Sequence, residues 1–213
     1  YIDNVINILE TKGYEGVNVS FQYINTSNIP HYEVFYTKMV NRLNQEGYQA
    51  FATINPNISV SNSDVKFIRI DYSIVNQLAQ NTIFINYSTA MNTTPPSPVS
   101  SIKSTEAYVN YLKEFIPTDR IVIGNTTVGY DWELPFYAGV SSVNSISVDN
   151  AIDLARNEGV AIQFDEESQT PYFNYTIRSG GREIEHIVWF VDARSINAML
   201  NLVVEHNLLG TSI

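Results

Sequence analysis

The chain has 213 residues, enough for one large domain or one domain with a small insert. Hydrophobic residues make up 44% and charged residues 16%, so a packed core is within reach and a disordered polymer is excluded. A formal charge of -10 with no basic stripe argues against nucleic acid, and the absence of cysteine removes disulfides, thiolate metal sites and thiol nucleophiles.

Along the chain, helix and strand periods alternate. Ile2, Val5, Ile6 and Leu9 recur at helical spacing over residues 1 to 12, and Gly13 ends the run. Val17, Val19 and Phe21 then alternate with Asn18, Ser20 and Gln22, which is the period of a strand. Pro30 opens a second helix with Tyr32, Phe35, Met39 and Leu43 on one face and Gly47 as its stop. Residues 48 to 54 read as a strand, 71 to 80 as a short helix and 82 to 87 as an apolar strand. Thr93-Thr-Pro-Pro-Ser-Pro98 is a stiff loop. A helix over 104 to 115 stops before Pro117, and 120 to 125 is the next strand. This αβαβαβαβ order predicts a parallel α/β sheet or barrel.

After Pro135 the grammar changes. Ser147 caps a helix that runs to Glu158 and ends at Gly159. Strand-like runs follow at 160 to 164, 172 to 177 and 184 to 190, the last two joined by Arg178-Ser-Gly-Gly-Arg182 as a hairpin. A helix over 195 to 206 and a strand beginning at Leu209 complete the chain. A closed barrel of eight βα units takes ~250 residues. Four complete barrel-type strands plus the start of a fifth therefore predict a partial (β/α)8 TIM barrel. It would span residues 1–132 and 191–213, from the fourth strand to the start of the eighth, with a small α+β insertion domain at 133–190. The remaining strands are expected from the rest of a parent chain. No apolar run reaches the ~18 residues of a membrane span.

Several stretches resemble glycoside hydrolase family 18, in its bacterial spore-germination N-acetylglucosaminidase branch. Gly13-Tyr-Glu-Gly-Val-Asn-Val-Ser-Phe-Gln22 is similar to the fourth-strand motif D-G-x-x-x-D-x-E. Phe84-Ile-Asn-Tyr87 resembles the sixth strand, and Gly129-Tyr-Asp-Trp-Glu-Leu-Pro135 the seventh strand and the start of the insertion. Gln169-Thr-Pro-Tyr-Phe-Asn-Tyr175 and His186-Ile-Val-Trp-Phe-Val-Asp-Ala-Arg-Ser195 are similar to the insertion itself.

The resemblance implies a retaining mechanism assisted by the substrate, an exception to the scheme of two carboxylates. The sugar's N-acetyl oxygen attacks the anomeric carbon, a Glu at the end of the fourth-strand motif protonates the leaving oxygen, and an Asp two residues earlier orients the acetamido group. Here the acid position is Gln22, whose carboxamide carries no proton it can release near neutral pH, and the assisting position is Ser20. Glu15 keeps an acid at the head of the motif but lies ~23 Å from position 22 along an extended strand. Ser88, Ile85, Val128 and Val191 also replace residues usual in the family.

The expectation is therefore a catalytically silent module, with no intact catalytic set, that binds glycan containing N-acetylglucosamine through Gln22, Asn55, Tyr87, Tyr130 and Trp132. Two alternatives are a working hydrolase that recruits another acid and a structural or protein-interaction module. Neither cofactor nor metal is expected, since three scattered histidines offer no ligand set. The resemblance further implies a place outside the cytoplasm, at the spore or cell wall.

Overall fold

The computed structural model describes residues 1–21, 27–54, 59–61, 64–67, 69, 71–85 and 92–212. In chain order the elements begin with α1 (Ile2–Lys12), β1 (Gly16–Ser20), α2 (Ile29–Gln45), β2 (Gln49–Ile54), β3 (Ser59–Ser61) and β4 (Asp64–Lys66). They continue with α3 (Ser73–Leu78), β5 (Asn81–Ile85), α4 (Ile102–Leu112), β6 (Ile121–Gly124), β7 (Val128–Leu134) and β8 (Val143–Ser147). The last are α5 (Val148–Glu158), β9 (Gln163–Asp165), β10 (Thr170–Ser179), β11 (Arg182–Trp189), α6 (Ala193–Glu205) and β12 (Gly210–Ser212). No helix among the described residues is long and apolar enough to cross a membrane.

Two compact units emerge. The first holds a five-stranded sheet in the order β1-β2-β5-β6-β12, and every pairing in it is parallel. Each strand lies beside the next parallel strand of the chain, so the order never reverses. That continuous winding is the TIM-barrel type, as expected, and differs from a doubly wound sheet, whose order turns back. Strand parity divides the two faces of the sheet. Val19, Ala50, Ala52, Ile54, Phe84, Ile121 and Ile123 are buried with the apolar faces of the helices, including Leu9, Val40, Leu43 and Leu112. On the other face Phe51, Ile83, Ile85 and Val122 stay half-buried. Gly13 ends α1 in the left-handed conformation at φ 68°, as its sequence position predicts. The short antiparallel ladder β3–β4 is an addition that no periodicity announced.

Tyrosines form much of this core. The Tyr108 hydroxyl donates to Tyr72 at 2.9 Å, and the Tyr108 ring packs 4.8 Å from Phe84. Burial pushes the Tyr72 phenol up to about 12 and drives Tyr108 and Tyr36 higher still.

The second unit carries an antiparallel sheet in the order β8-β7-β11-β10-β9. Residues on both sides of the expected 132/133 boundary share one strand of it, β7. The β10–β11 hairpin turns on Gly180 and Gly181 with φ of 57° and 75°, the left-handed pair that a tight turn between twisted strands requires. Ser147 caps α5 by accepting the amide of Asn150 at 3.2 Å. One side of α5 packs Ala151 and Ala155 onto Phe173, Tyr175, Val188 and Phe190. Gly129 sits where a Cβ would meet Phe190 Cβ at 2.6 Å and the Trp189 carbonyl at 2.8 Å.

Two outcomes follow from this packing. Gly129→Ala overfills the β7–β11 contact and lowers stability by about 1–3 kcal/mol in urea denaturation; an unchanged midpoint would refute the close approach. The buried tyrosines are neutral in the fold, so their raised pKa values contribute stability that is fully present below the unfolded phenol value of ~10. That contribution is lost as pH rises from there through about 12, because the unfolded chain ionises first. The melting temperature should fall across that window, and a flat profile would count against the burial.

Candidate functional site

The face of the parallel sheet left open by the helices begins at β1. Gly16 lets β1 approach β2, since a Cβ there would collide with the Gln49 carbonyl. The register pairs Val19 with Ala52 and Ser20 with Thr53. Val17 and Val19 therefore turn toward the core while Asn18 and Ser20 are exposed on the opposite face. Phe21, at 42% exposure, still packs edge-on against Tyr32 and Phe35 of α2, on the side of the two valines. Below Ser20, the Asn18 amide donates to Thr53 Oγ1 at 2.6 Å, and Thr53 Oγ1 lies 2.9 Å from Asn18 Oδ1. This amide–hydroxyl pair ties β1 to β2 across the open face. Nothing in it is charged, so Ser20 and Asn18 can orient a polar ligand by hydrogen bonds and supply no electrostatic stabilisation of a developing cation.

Of the other expected residues, Glu15 is exposed, and its backbone carbonyl accepts the Gln49 amide at 3.0 Å. Gln22, Asn55 and Tyr87, with Ser88, lie outside the described residues. In sequence they follow the carboxyl ends of β1, β2 and β5, the end of the strands at which barrel sites form.

In the second unit Tyr130 and Trp132 share one face of β7, their rings 5.8 Å apart. Trp132 is 2% exposed and donates its indole N–H to the Thr94 carbonyl at 3.2 Å, so its ring is committed to packing. Tyr130 is half-buried. Between them Asp131 points to the other face. It accepts the Tyr175 hydroxyl at 2.7 Å, and its second oxygen lies 2.9 Å from His186 Nδ1. The Tyr175 and His186 rings pack at 4.9 Å. Burial and the neighbouring Asp131 carboxylate push the Tyr175 phenol up, so it serves as a fixed donor. Asp131 is thus a half-buried bridge among β7, β10 and β11. Tyr175 lies in the stretch 169–175 that resembles the family's insertion, and nothing in its local period marks it as a partner of Asp131. Asp192 caps α6, accepting the amides of Arg194 at 2.8 Å and Ser195 at 3.3 Å, and holds the Arg194 guanidinium at 2.8 Å.

Comparison with known proteins agrees with this fold. The family model described as glycosyl hydrolases family 18 matches residues 1–213. The cortical fragment-lytic enzyme of Bacillus anthracis is 30% identical over 213 residues, covering 100% of this chain and 48% of its own length. The enzyme of the same name from Bacillus subtilis (strain 168) is 28% identical over 211 residues, covering 99% of this chain and 48% of its own. The crystal structure of the Bacillus megaterium QM B1551 spore cortex-lytic enzyme SleL superposes with a TM-score of 0.85 at 29% identity. That match covers 99% of this chain and 47% of the other. The chain therefore spans about half the length of the curated relatives it matches.

The Asp131 bridge has a measurable signature. Asp131→Ala strands two buried donors and costs roughly 2–4 kcal/mol in urea denaturation, whereas Tyr175→Phe removes a donor together with its need and costs about 1 kcal/mol. Equal costs for the two variants would show that the bridge is not the tie described.

Proposed function

The chain belongs to glycosyl hydrolase family 18, a glycosidase family domain related to spore cortex-lytic enzymes, and from that membership we propose that it binds glycan containing N-acetylglucosamine without cleaving it. One observation carries the reading: the fourth-strand motif ends Ser20-Phe-Gln22, so a hydroxyl and a carboxamide stand where the family motif has an assisting carboxylate and an acid. A carboxamide hydrogen-bonds a glycosidic oxygen but transfers no proton to it, and general acid catalysis is worth ~10²–10⁴-fold. Exposed Ser20 above the Asn18–Thr53 pair suits a neutral, hydroxyl-rich ligand. Gln22, Asn55, Tyr87 and Tyr130 are the proposed sugar contacts. Trp132 would act indirectly, by holding Tyr130 in place.

The natural ligand in this reading is spore peptidoglycan or a chitin-like chain, met outside the cytoplasm. Strands supplied by the rest of a parent chain would complete the barrel. A working hydrolase is the second reading, favoured by relatives that are themselves named as lytic enzymes.

Calorimetry with chitotetraose and turnover of a fluorogenic chitobioside separate these readings. Binding with turnover at background level is expected. Restoring both carboxylates by Ser20→Asp with Gln22→Glu should raise turnover by at least ~10²-fold. Unaltered chain that hydrolyses the substrate, and loses that activity on Gln22→Ala, would overturn the proposal. No binding of chitotetraose would leave a structural role.

A further inference from the structure

The second unit carries an open groove of mixed polarity on the flank where β9 meets α6, with a volume of about 560 Å³. Phe164, Gln169, Arg194, Asn197, Ala198 and Asn201 line it. Three features are preset. The Arg194 guanidinium lies 4.2 Å over the Phe164 ring, while its Nε and Nη2 both donate to one Asp192 oxygen at 3.0 and 2.8 Å. Two of five N–H donors are so used, and the remainder stay on a side chain 52% exposed. Gln169 holds a backbone φ of 57°, uncommon for a residue with a side chain, and its amide is pinned by donating to the Glu166 carbonyl at 2.8 Å and carboxylate at 3.1 Å. Asn197 and Asn201 stand one helical turn apart on the same face of α6, with Ala198 beside them. Among the described residues neither of these amides takes part in a hydrogen bond.

Side-chain amides pair with the donor and acceptor of a ligand amide, a small apolar floor admits the CH face of a pyranose, and a clamped guanidinium prefers a carboxylate. Glu166 also lines the groove, and its carboxylate accepts the Gln169 amide at 3.1 Å. We propose that this groove is a separate subsite for an N-acetylated amino sugar bearing a carboxylate, the chemistry of N-acetylmuramic acid. The choice of ligand class rests on the glycan-binding function proposed above, and the groove is distinct from the open face at β1.

Titration of the ¹⁵N-labelled chain with N-acetylmuramic acid, and with N-acetylglucosamine as the arm lacking the carboxylate, tests the inference. Both sugars should shift the amides of 164–169 and 193–201 with millimolar affinity, the acid binding about tenfold tighter. Asn197→Ala with Asn201→Ala, on an exposed helix face that alanine favours, should weaken both sugars by at least about tenfold. Arg194→Met should abolish only the preference for the acid, and Arg194→Lys should keep part of it. The inference falls if these amides do not move at about 50 mM of either sugar, a concentration well above a millimolar Kd. It falls equally if the double variant binds as before, or if Arg194→Met weakens both sugars alike. Shifts confined to residues 18–20 and 130 would sink the groove alone and leave the β1 site standing.

Discussion

Parallel neighbours can be joined only by crossovers, and in this sheet every crossover leads to the next strand in the same direction. Helices gathered on one side close one face of the sheet and leave the other open. Everything about β1 follows from that constraint. Val19 belongs to the core and half-buried Val17 shares its side, while Asn18 and Ser20 one residue away are exposed. The same parity separates buried Phe84, Ile121 and Ile123 from half-buried Ile83, Ile85 and Val122. Residues on the open face are thereby released from the packing that governs their neighbours. A hydroxyl or a carboxylate at position 20 would leave the apolar side of the strand equally undisturbed.

The second unit instead keeps several polar side chains out of solvent in matched sets. Asp131 meets both Tyr175 and His186, the Trp132 indole meets the Thr94 carbonyl, and Ser168 meets Asp165 and Thr170. In a low-dielectric interior such sets hold together or fail together, because one missing partner leaves the others unpaired. That accounts for the residue types at positions 131, 175 and 186. It also gives α6 a fixed start through Asp192, and hence a fixed position for Arg194 over Phe164.

The order of elements was legible because each carries its own period or punctuation. Gly13 and Gly159 mark helix ends with left-handed backbone, Ser147 caps α5, and Gly180-Gly181 forms the hairpin turn. β8 was not legible. Val143-Asn-Ser-Ile-Ser147 has too few apolar residues to announce a strand, and it becomes one by pairing with β7. The same holds for β3 and β4, three residues each, whose strand character exists only in their ladder.

Residue types at the site were readable too. An amide at position 22 and a hydroxyl at position 20 are covalent facts, and the two-residue period assigns Ser20 its side of the strand. Environment was not readable. Whether Trp132 offers a ring face or spends it on packing, whether Asp131 is a solvated acid or a half-buried bridge, and whether Asn197, Asn201 and Arg194 line one groove with Phe164 all depend on residues distant in the chain. Period and chemistry are local properties, carried by each segment of sequence. Burial, pairing and enclosure are relations between segments, and only their meeting in three dimensions decides them.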